Sequence, residues 1–331
     1  MRKTSLLPLP SGLRRLIGAG IFICLAVTST IAPAQTDKPA LIARLASKSL
    51  LTGVADTGAA LIAVGERGHI LRSEDGGKNW QQMPAPSRAM LTAVTFVSPE
   101  TGWAVGQDAT ILATTDGGKS WTQQFHTSQL TEDDSARDAP LLDISCASAS
   151  ICAASGAYGL LLLTTDGGAN WHRQFVKEDD RNFYAVQMFD TQHILLAGEQ
   201  GALMESKDGG AEWTALLSPY DGSFFGFTQA GTDWLVYGLR GNAFLSADQG
   251  QSWQKIETGV DSGLLAGTRL SNGEIVLVGA GGVVLESKDN ARSFTLHRQS
   301  NRAALSAAAL ADNGTLLLFG EKGISPAEDA Q

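Results

Sequence analysis

The chain has 331 residues, 37 of them glycine, with 43% hydrophobic and 18% charged residues and a formal charge of −9. The hydrophobic share excludes a disordered chain, and so much glycine beside only 10 prolines points to tight turns rather than collagen. Net acidity argues against a general nucleic-acid binder, and the length suits either two domains or one large all-β unit.

The N-terminus reads as a targeting segment. Arg2, Lys3, Arg14 and Arg15 precede an apolar run over 16–31, and Ala32-Pro33-Ala34 presents small residues where a signal peptidase cuts. Residues 1–34 are therefore expected to be a cleaved signal peptide, with an uncleaved membrane anchor as the alternative because the run approaches spanning length. Ile23 ahead of Cys24 is too large for a lipid-anchor signal. Removing 34 of the 331 residues leaves 297, and losing four basic residues takes the charge from −9 to −13. The expected location is outside the cytoplasm, in the periplasm or an equivalent lumen. Export would leave Cys146 and Cys152 in an oxidising compartment, either joined across a hairpin or as two small buried residues on neighbouring strands. No histidine is close enough in sequence to suggest a metal site or a catalytic thiol.

Downstream, one eight-residue segment recurs. Ser73-Glu74-Asp75-Gly76-Gly77-Lys78-Asn79-Trp80 reappears at 114–121, 164–171, 206–213 and 246–253, and a sixth copy at 287–294 keeps Asp289 without the glycines or the tryptophan. The aspartates Asp75, Asp116, Asp166, Asp208, Asp248 and Asp289 are spaced by 41, 50, 42, 40 and 41 residues. A second landmark, glycine at 65, 106, 156, 198, 238, 279 and 320, occurs seven times. Within 91–125 the pattern predicts strands at 91–96, 103–106, 110–114 and 121–125, separated by turn residues. Four short antiparallel strands at a period near 40 form a propeller blade, and no window carries a sustained helical period. The fold class is therefore all-β, a seven-bladed propeller.

The seventh repeat starts near Leu305 and ends before its aspartate turn. Residues 39–47 are expected to pair with 304–325 and complete the last blade, so that 35–331 forms one closed domain; an open solenoid is the alternative. The repeated aspartates, with Trp80, Trp121, Trp171, Trp213 and Trp253, read as structural. Aspartate accepts backbone N–H bonds, glycine supplies positive φ, and tryptophan covers apolar surface. Gly118-Lys119-Ser120 mimics the end of a phosphate loop, but Ala113 stands where the earlier glycine is required. Gly279-Ala280-Gly281-Gly282 has no helix to receive a pyrophosphate and reads as a hairpin.

The eight-residue turn resembles the Asp box of sialidases and other BNR-repeat propellers. The fuller pattern of Val64-Gly65, Gly68, Ile70, Ser73, Asp75-Gly76-Gly77 and Trp80 resembles the photosystem II stability/assembly factor family. It recurs from Val105-Gly106 to Trp121 with Ala109 replacing the second glycine, and the likeness extends over about 40–325. The resemblance implies an exported, non-catalytic, cofactor-free propeller that assembles or stabilises a membrane complex. The expected partner is a protein, an exported loop or domain of that complex, with no nucleic acid; the chain itself is expected to be a monomer.

Three positions before each inner strand stand Lys48, Arg88, Asp138, Asp180, Asp221, Asp261 and Arg302, all charged. Four successive aspartates face basic residues on the remaining three blades. Arg67 and Lys322, in second-to-third strand turns beside Glu66 and Glu321, extend the basic set. Lys48, Arg67, Arg88, Arg302 and Lys322 are therefore the candidate partner-binding residues, beside an acidic arc around one mouth of the channel. The 50-residue spacing places about nine extra polar residues, including 131–138, on the same face, as a solvated insertion or a partner-contact loop. The rival reading is an Asp-box glycoside hydrolase of sialidase type, using Tyr158 with Asp180, Arg181 and Glu199, although the Phe-Arg-Ile-Pro signature usual in sialidases is absent.

Overall fold

The computed structural model describes residues 38–328, residue 178 excepted, so the signal-peptide reading of 1–34 lies outside the described residues. Seven inner strands, Leu51–Asp56, Leu91–Phe96, Leu141–Cys146, Phe183–Met188, Phe224–Ala230, Leu264–Arg269 and Leu305–Leu310, head seven antiparallel sheets. In each sheet the strands follow one another outward in sequence order; six sheets have four strands and the last has three. Blade two runs Leu91–Phe96, Gly102–Gly106, Ile111–Thr114, Thr122–Phe125, within a residue of the sequence expectation. Second strands such as Leu61–Gly65, Ile194–Gly198 and Ile275–Gly279 are buried at every residue. Both faces of each blade pack on neighbours, so these strands read as continuous apolar runs instead of alternating.

The core is divided into apolar clusters that each bridge two adjacent blades. Between blades one and two, Ile62, Val64 and Ile70 meet Leu91, Ala104 and Leu112. Between the last blade and the first, Leu317 and Phe319 meet Leu51, Leu61, Ala63 and Leu71, and the Trp80 ring stands edge-on to Phe319 at 5.7 Å. That final cluster closes the ring and rules out an open solenoid.

The closure differs from the expected pairing of 39–47 with 304–325. The Ala40 N–H donates to the Ala85 carbonyl, and the Gln82 side-chain amide exchanges bonds with Ala43 N–H and the Leu41 carbonyl. Residues 40–43 thus lie along the outer side of blade one, held by Gln82. The chain then turns through a 3-10 helix, Ala46–Lys48, whose Ala46 is buried in the closing cluster. Ser47 and Lys48 meet the last blade at Gly323, the start of the strand Gly323–Pro326. With inner strand one starting at Leu51, the chain must turn there rather than run down the blade edge. The N-terminal segment therefore closes the ring by packing, and the last sheet keeps three strands among the described residues.

Each aspartate turn is a local hydrogen-bonded knot. Ser73 Oγ donates to Asp75 Oδ1 at 2.9 Å, Gly77 N–H donates to Ser73 Oγ at 2.8 Å, and Asn79 N–H donates to Asp75 Oδ1 at 2.9 Å. The Trp80 indole N–H then caps the Gly77 carbonyl at 2.9 Å. The backbone bond to the aspartate recurs at Asp116, Asp166, Asp208, Asp248 and Asp289, and the indole cap at Trp121 and Trp213. Hydrogen bonds that need the ionised carboxylate hold Asp75, Asp166, Asp248 and Asp289 at about 2, below the ordinary carboxylate value. In blade three, Cys146 and Cys152 stand directly opposite on adjacent strands, with Cα atoms 4.0 Å apart and their sulfurs bonded.

Candidate functional site

The glycine landmarks explain how one face of the ring is built. A Cβ on Gly65 would stand 2.1 Å from the Leu50 carbonyl oxygen, and on Gly106 2.1 Å from that of Met90. All seven positions share this close approach, which carries the chain leading into an inner strand across the end of the second strand. The backbone of Gly65 is extended, so contact and not φ selects glycine there. In six of the seven second-to-third strand turns the following glycine abuts the lead-in of the next blade; blade two has Ala109 there. Gly68 meets Ser87 and Arg88, Gly159 meets Asp179 and Asp180, and Gly323 meets Ser47 and Lys48.

This geometry sets the charged residues on one face. Lys48, Arg88, Asp138, Asp180, Asp221, Asp261 and Arg302 all lie three residues ahead of an observed inner strand, and all seven are exposed. The turn carrying exposed Arg67 adjoins Arg88, and the turn carrying exposed Lys322 adjoins Lys48. Arg302 has φ 55° beside Gly282. Blades seven, one and two thus carry the basic residues of this register, with Glu66, Asp108 and Glu321 in the turns among them. Within this basic sector Arg88 Nε donates to the Pro39 carbonyl at 2.8 Å, while Lys48, Arg67, Arg302 and Lys322 form no side-chain hydrogen bond or ion pair among the described residues. Glu321 is occupied by the Ala304 N–H at 3.2 Å.

The inner strands enclose a channel cavity of about 480 Å³. Every inner strand has a β-bulge at its second residue, between the register pairs on either side. Thr52, Thr92 and Ser306 occupy that position on blades one, two and seven, and each donates to the first carbonyl of the next inner strand: Leu91, Leu141 and Leu51, at 2.6, 2.7 and 2.7 Å. On blades three to six the position holds Leu142, Tyr184, Phe225 and Leu265. The basic half of the mouth is therefore latched by hydroxyls, and the acidic half is lined by apolar side chains.

Asp143 is a channel residue that lies in none of the recurring motifs. It accepts from Ile144 N–H at 2.8 Å and Val186 N–H at 3.0 Å, while enclosure by the ring pushes its carboxyl up to about 7. The signal was present in the sequence: the third residue of the other inner strands is Gly53, Ala93, Ala185, Gly226, Ala266 and Ala307, always glycine or alanine. Across the channel Tyr237 reaches inward beside Gly226 and Gly267, and burial raises its phenol above the ordinary value.

The constellation for a glycosidase is not assembled. Arg181 forks onto Asp179 at 2.5 and 2.9 Å, Glu199 accepts from the Asn182 N–H at 3.4 Å, and Tyr158 is held by its backbone to Asn182 Oδ1. The arginine needed for an anionic sugar is thus already neutralised. The insertion over 131–138 is anchored, not merely solvated. Leu130, Ala136 and Ala139 are buried with Ala109, Asp134 pairs with Arg173 at 3.3 Å, and Ala109 fills the place of the missing glycine.

The model of the photosynthesis system II assembly factor YCF48 family matches residues 54–124 and 78–254. Among solved structures, one described as YCF48 bound to D1 peptide is 20% identical, with a TM-score of 0.66 over 86% of this chain and 94% of that one. YCF48 from Cyanidioschyzon merolae is 17% identical, with a TM-score of 0.63 over 84% and 94%. A streptogramin B lyase structure, 10% identical, has a TM-score of 0.70 over 85% and 94% and shares the fold alone. No curated protein sequence matches. The repeat pattern, the seven-bladed ring and the family match together show that the chain belongs to the YCF48 family of photosynthesis system II assembly factors, a family of non-catalytic propellers.

Proposed function

We propose that the protein is an exported, monomeric assembly or stability factor that holds an acidic, exported segment of a membrane-complex protein against its basic sector. Lys48, Arg67, Arg88, Arg302 and Lys322 would receive the segment's carboxylates, and the acidic arc would fix its direction and repel wrong partners. The observation that carries this reading is the recurrence of a charged, exposed residue at one lead-in register, with basic residues confined to three neighbouring blades. A structure of a family relative with a D1 peptide shows that such a propeller takes a peptide partner. Export rests on the residues of 1–34. Among the described residues, four basic side chains of the sector make no internal pair, so binding an anionic segment to them would break no existing bond.

The test is the double charge reversal Arg88→Glu with Arg302→Glu, followed by capture of membrane proteins from the exported fraction. The expected result is loss of the retained partner, with binding by the unaltered protein weakening as salt rises. Unchanged capture by the folded double variant removes the basic sector from the function.

A further inference from the structure

The other half of the same face has a different chemistry that the basic sector does not use. On blades three to six the bulge position is apolar. Tyr184 stands edge-on to Phe225 at 5.4 Å, and Phe225 and Leu265 both lie against Gly263. Leu265 is 38% exposed, as is Leu239 in the turn of blade five, and Tyr158 in the turn of blade three is 59% exposed. Tyr184 and Phe225 are half-buried and Leu265 is exposed, so the three form one partly open apolar cluster, which marks a contact site where a scattered single side chain would need no explanation.

The surroundings select the occupant. Asp138, Asp180, Asp221 and Asp261 flank this apolar floor, one per blade, all exposed. Basic groups are present but fewer: Arg181 is paired with Asp179 and Arg137 donates to the Leu130 carbonyl, which leaves Lys177, Arg240 and Lys255 against the four aspartates and exposed Glu257. We propose that this half of the face docks a second class of polypeptide segment, one whose aromatic or aliphatic side chains are flanked by lysine or arginine. The apolar anchors sit on Tyr184, Phe225 and Leu265, and the cations meet the aspartates at the rim, where water screens them and they contribute direction more than affinity. An anionic segment is repelled here and a purely polar cation finds no anchor. This surface is separate from the basic sector, so either site can fail its test without the other.

The probe is a fluorescein-labelled ten-residue peptide alternating lysine with phenylalanine and leucine, followed by fluorescence anisotropy against the full chain. One control peptide replaces lysine by glutamate, and another replaces the apolar residues by serine. The expected result is saturable binding of the first peptide only. Asp180→Lys with Asp221→Lys should weaken it by roughly tenfold, and Phe225→Ser with Leu265→Ser by a similar factor. A double reversal on the opposite face, Asp56→Lys with Glu100→Lys, changes net charge equally and should move affinity less than about twofold. Arg88→Glu with Arg302→Glu should leave this peptide's affinity unreduced. Thermal unfolding of each variant separates lost binding from lost fold. Absence of binding to the unaltered chain, equal weakening by the opposite-face pair, or equal binding of the serine peptide overturns the proposal.

Discussion

Two backbone N–H groups converge on Asp143, from Ile144 at 2.8 Å and Val186 at 3.0 Å, and by themselves they would favour the carboxylate. Enclosure inside the ring opposes them and wins, so the group titrates at about 7 instead of its ordinary 3.8. Between those values the folded chain keeps a proton that the unfolded chain releases. The stability associated with the neutral acid is therefore complete below about pH 4 and lost as pH rises through 7. Asp143→Asn keeps an acceptor for one N–H and cannot ionise. Its stability relative to the unaltered protein should rise by about 1–3 kcal/mol from pH 4.5 to 7.5, measured by urea unfolding at both values. A difference that does not change with pH would mean that the carboxyl is already ionised at pH 4.5. The turn aspartates act in the opposite direction. Asp75, Asp166, Asp248 and Asp289 titrate at about 2, so what they contribute is held above about pH 4 and lost as pH falls toward 2.

At the scale of one blade, the glycine that ends the second strand and the lead-in that crosses it form a single unit. The spacing of these glycines was legible in the sequence, and so was the register of charged residues three places ahead of the inner strands, because both follow from a backbone geometry repeated seven times. Gly106→Ala would put a Cβ 2.1 Å from the Met90 carbonyl, between strands that cannot separate without breaking the blade. It should cost about 3 kcal/mol or prevent folding, whereas Gly58→Ala, with φ +79° and open space around it, should cost only about 1 kcal/mol from backbone strain. Chemical denaturation of both variants checks this, and equal costs would show that φ and not close approach is what matters. The terminal segment was not legible in the same way. Leu41, Ile42 and Leu45 look like strand residues, but they are exposed, and a long-range bond from Gln82 decides where the segment lies. Asp143 was visible as the one charged residue in a column of glycine and alanine, yet its meaning depends on a channel that exists only when seven blades meet. The bulge residues were equally visible as letters; that Thr52, Thr92 and Ser306 latch neighbouring blades follows only from the closed ring.

At the scale of the whole molecule, the ring converts local packing into one cooperative object. Each blade is marginal alone, because a four-stranded sheet buries both faces only when it has two neighbours. Among the described residues, the junction between the last blade and the first has no strand exchange to strengthen it. It depends on Phe319, fully buried, on Trp80 against its edge, on Ala46, and on the Ser306 bond to the Leu51 carbonyl at 2.7 Å. Removing the Phe319 side chain should therefore open the ring rather than loosen one blade. We expect Phe319→Ala to lower stability by about 3–5 kcal/mol. The same single midpoint should appear in far-ultraviolet circular dichroism, which reports all blades, and in the tryptophan fluorescence of a variant that keeps only Trp234, buried in blade five far from the cut. Two separated midpoints, with the last blade unfolding first, would show a propeller whose blades are stable without closure. In that case the charged face could bind a partner as an open arc. A single midpoint means that the basic and acidic halves of the face are held in register by the weakest junction, and that any partner contacting both halves stabilises the ring it binds.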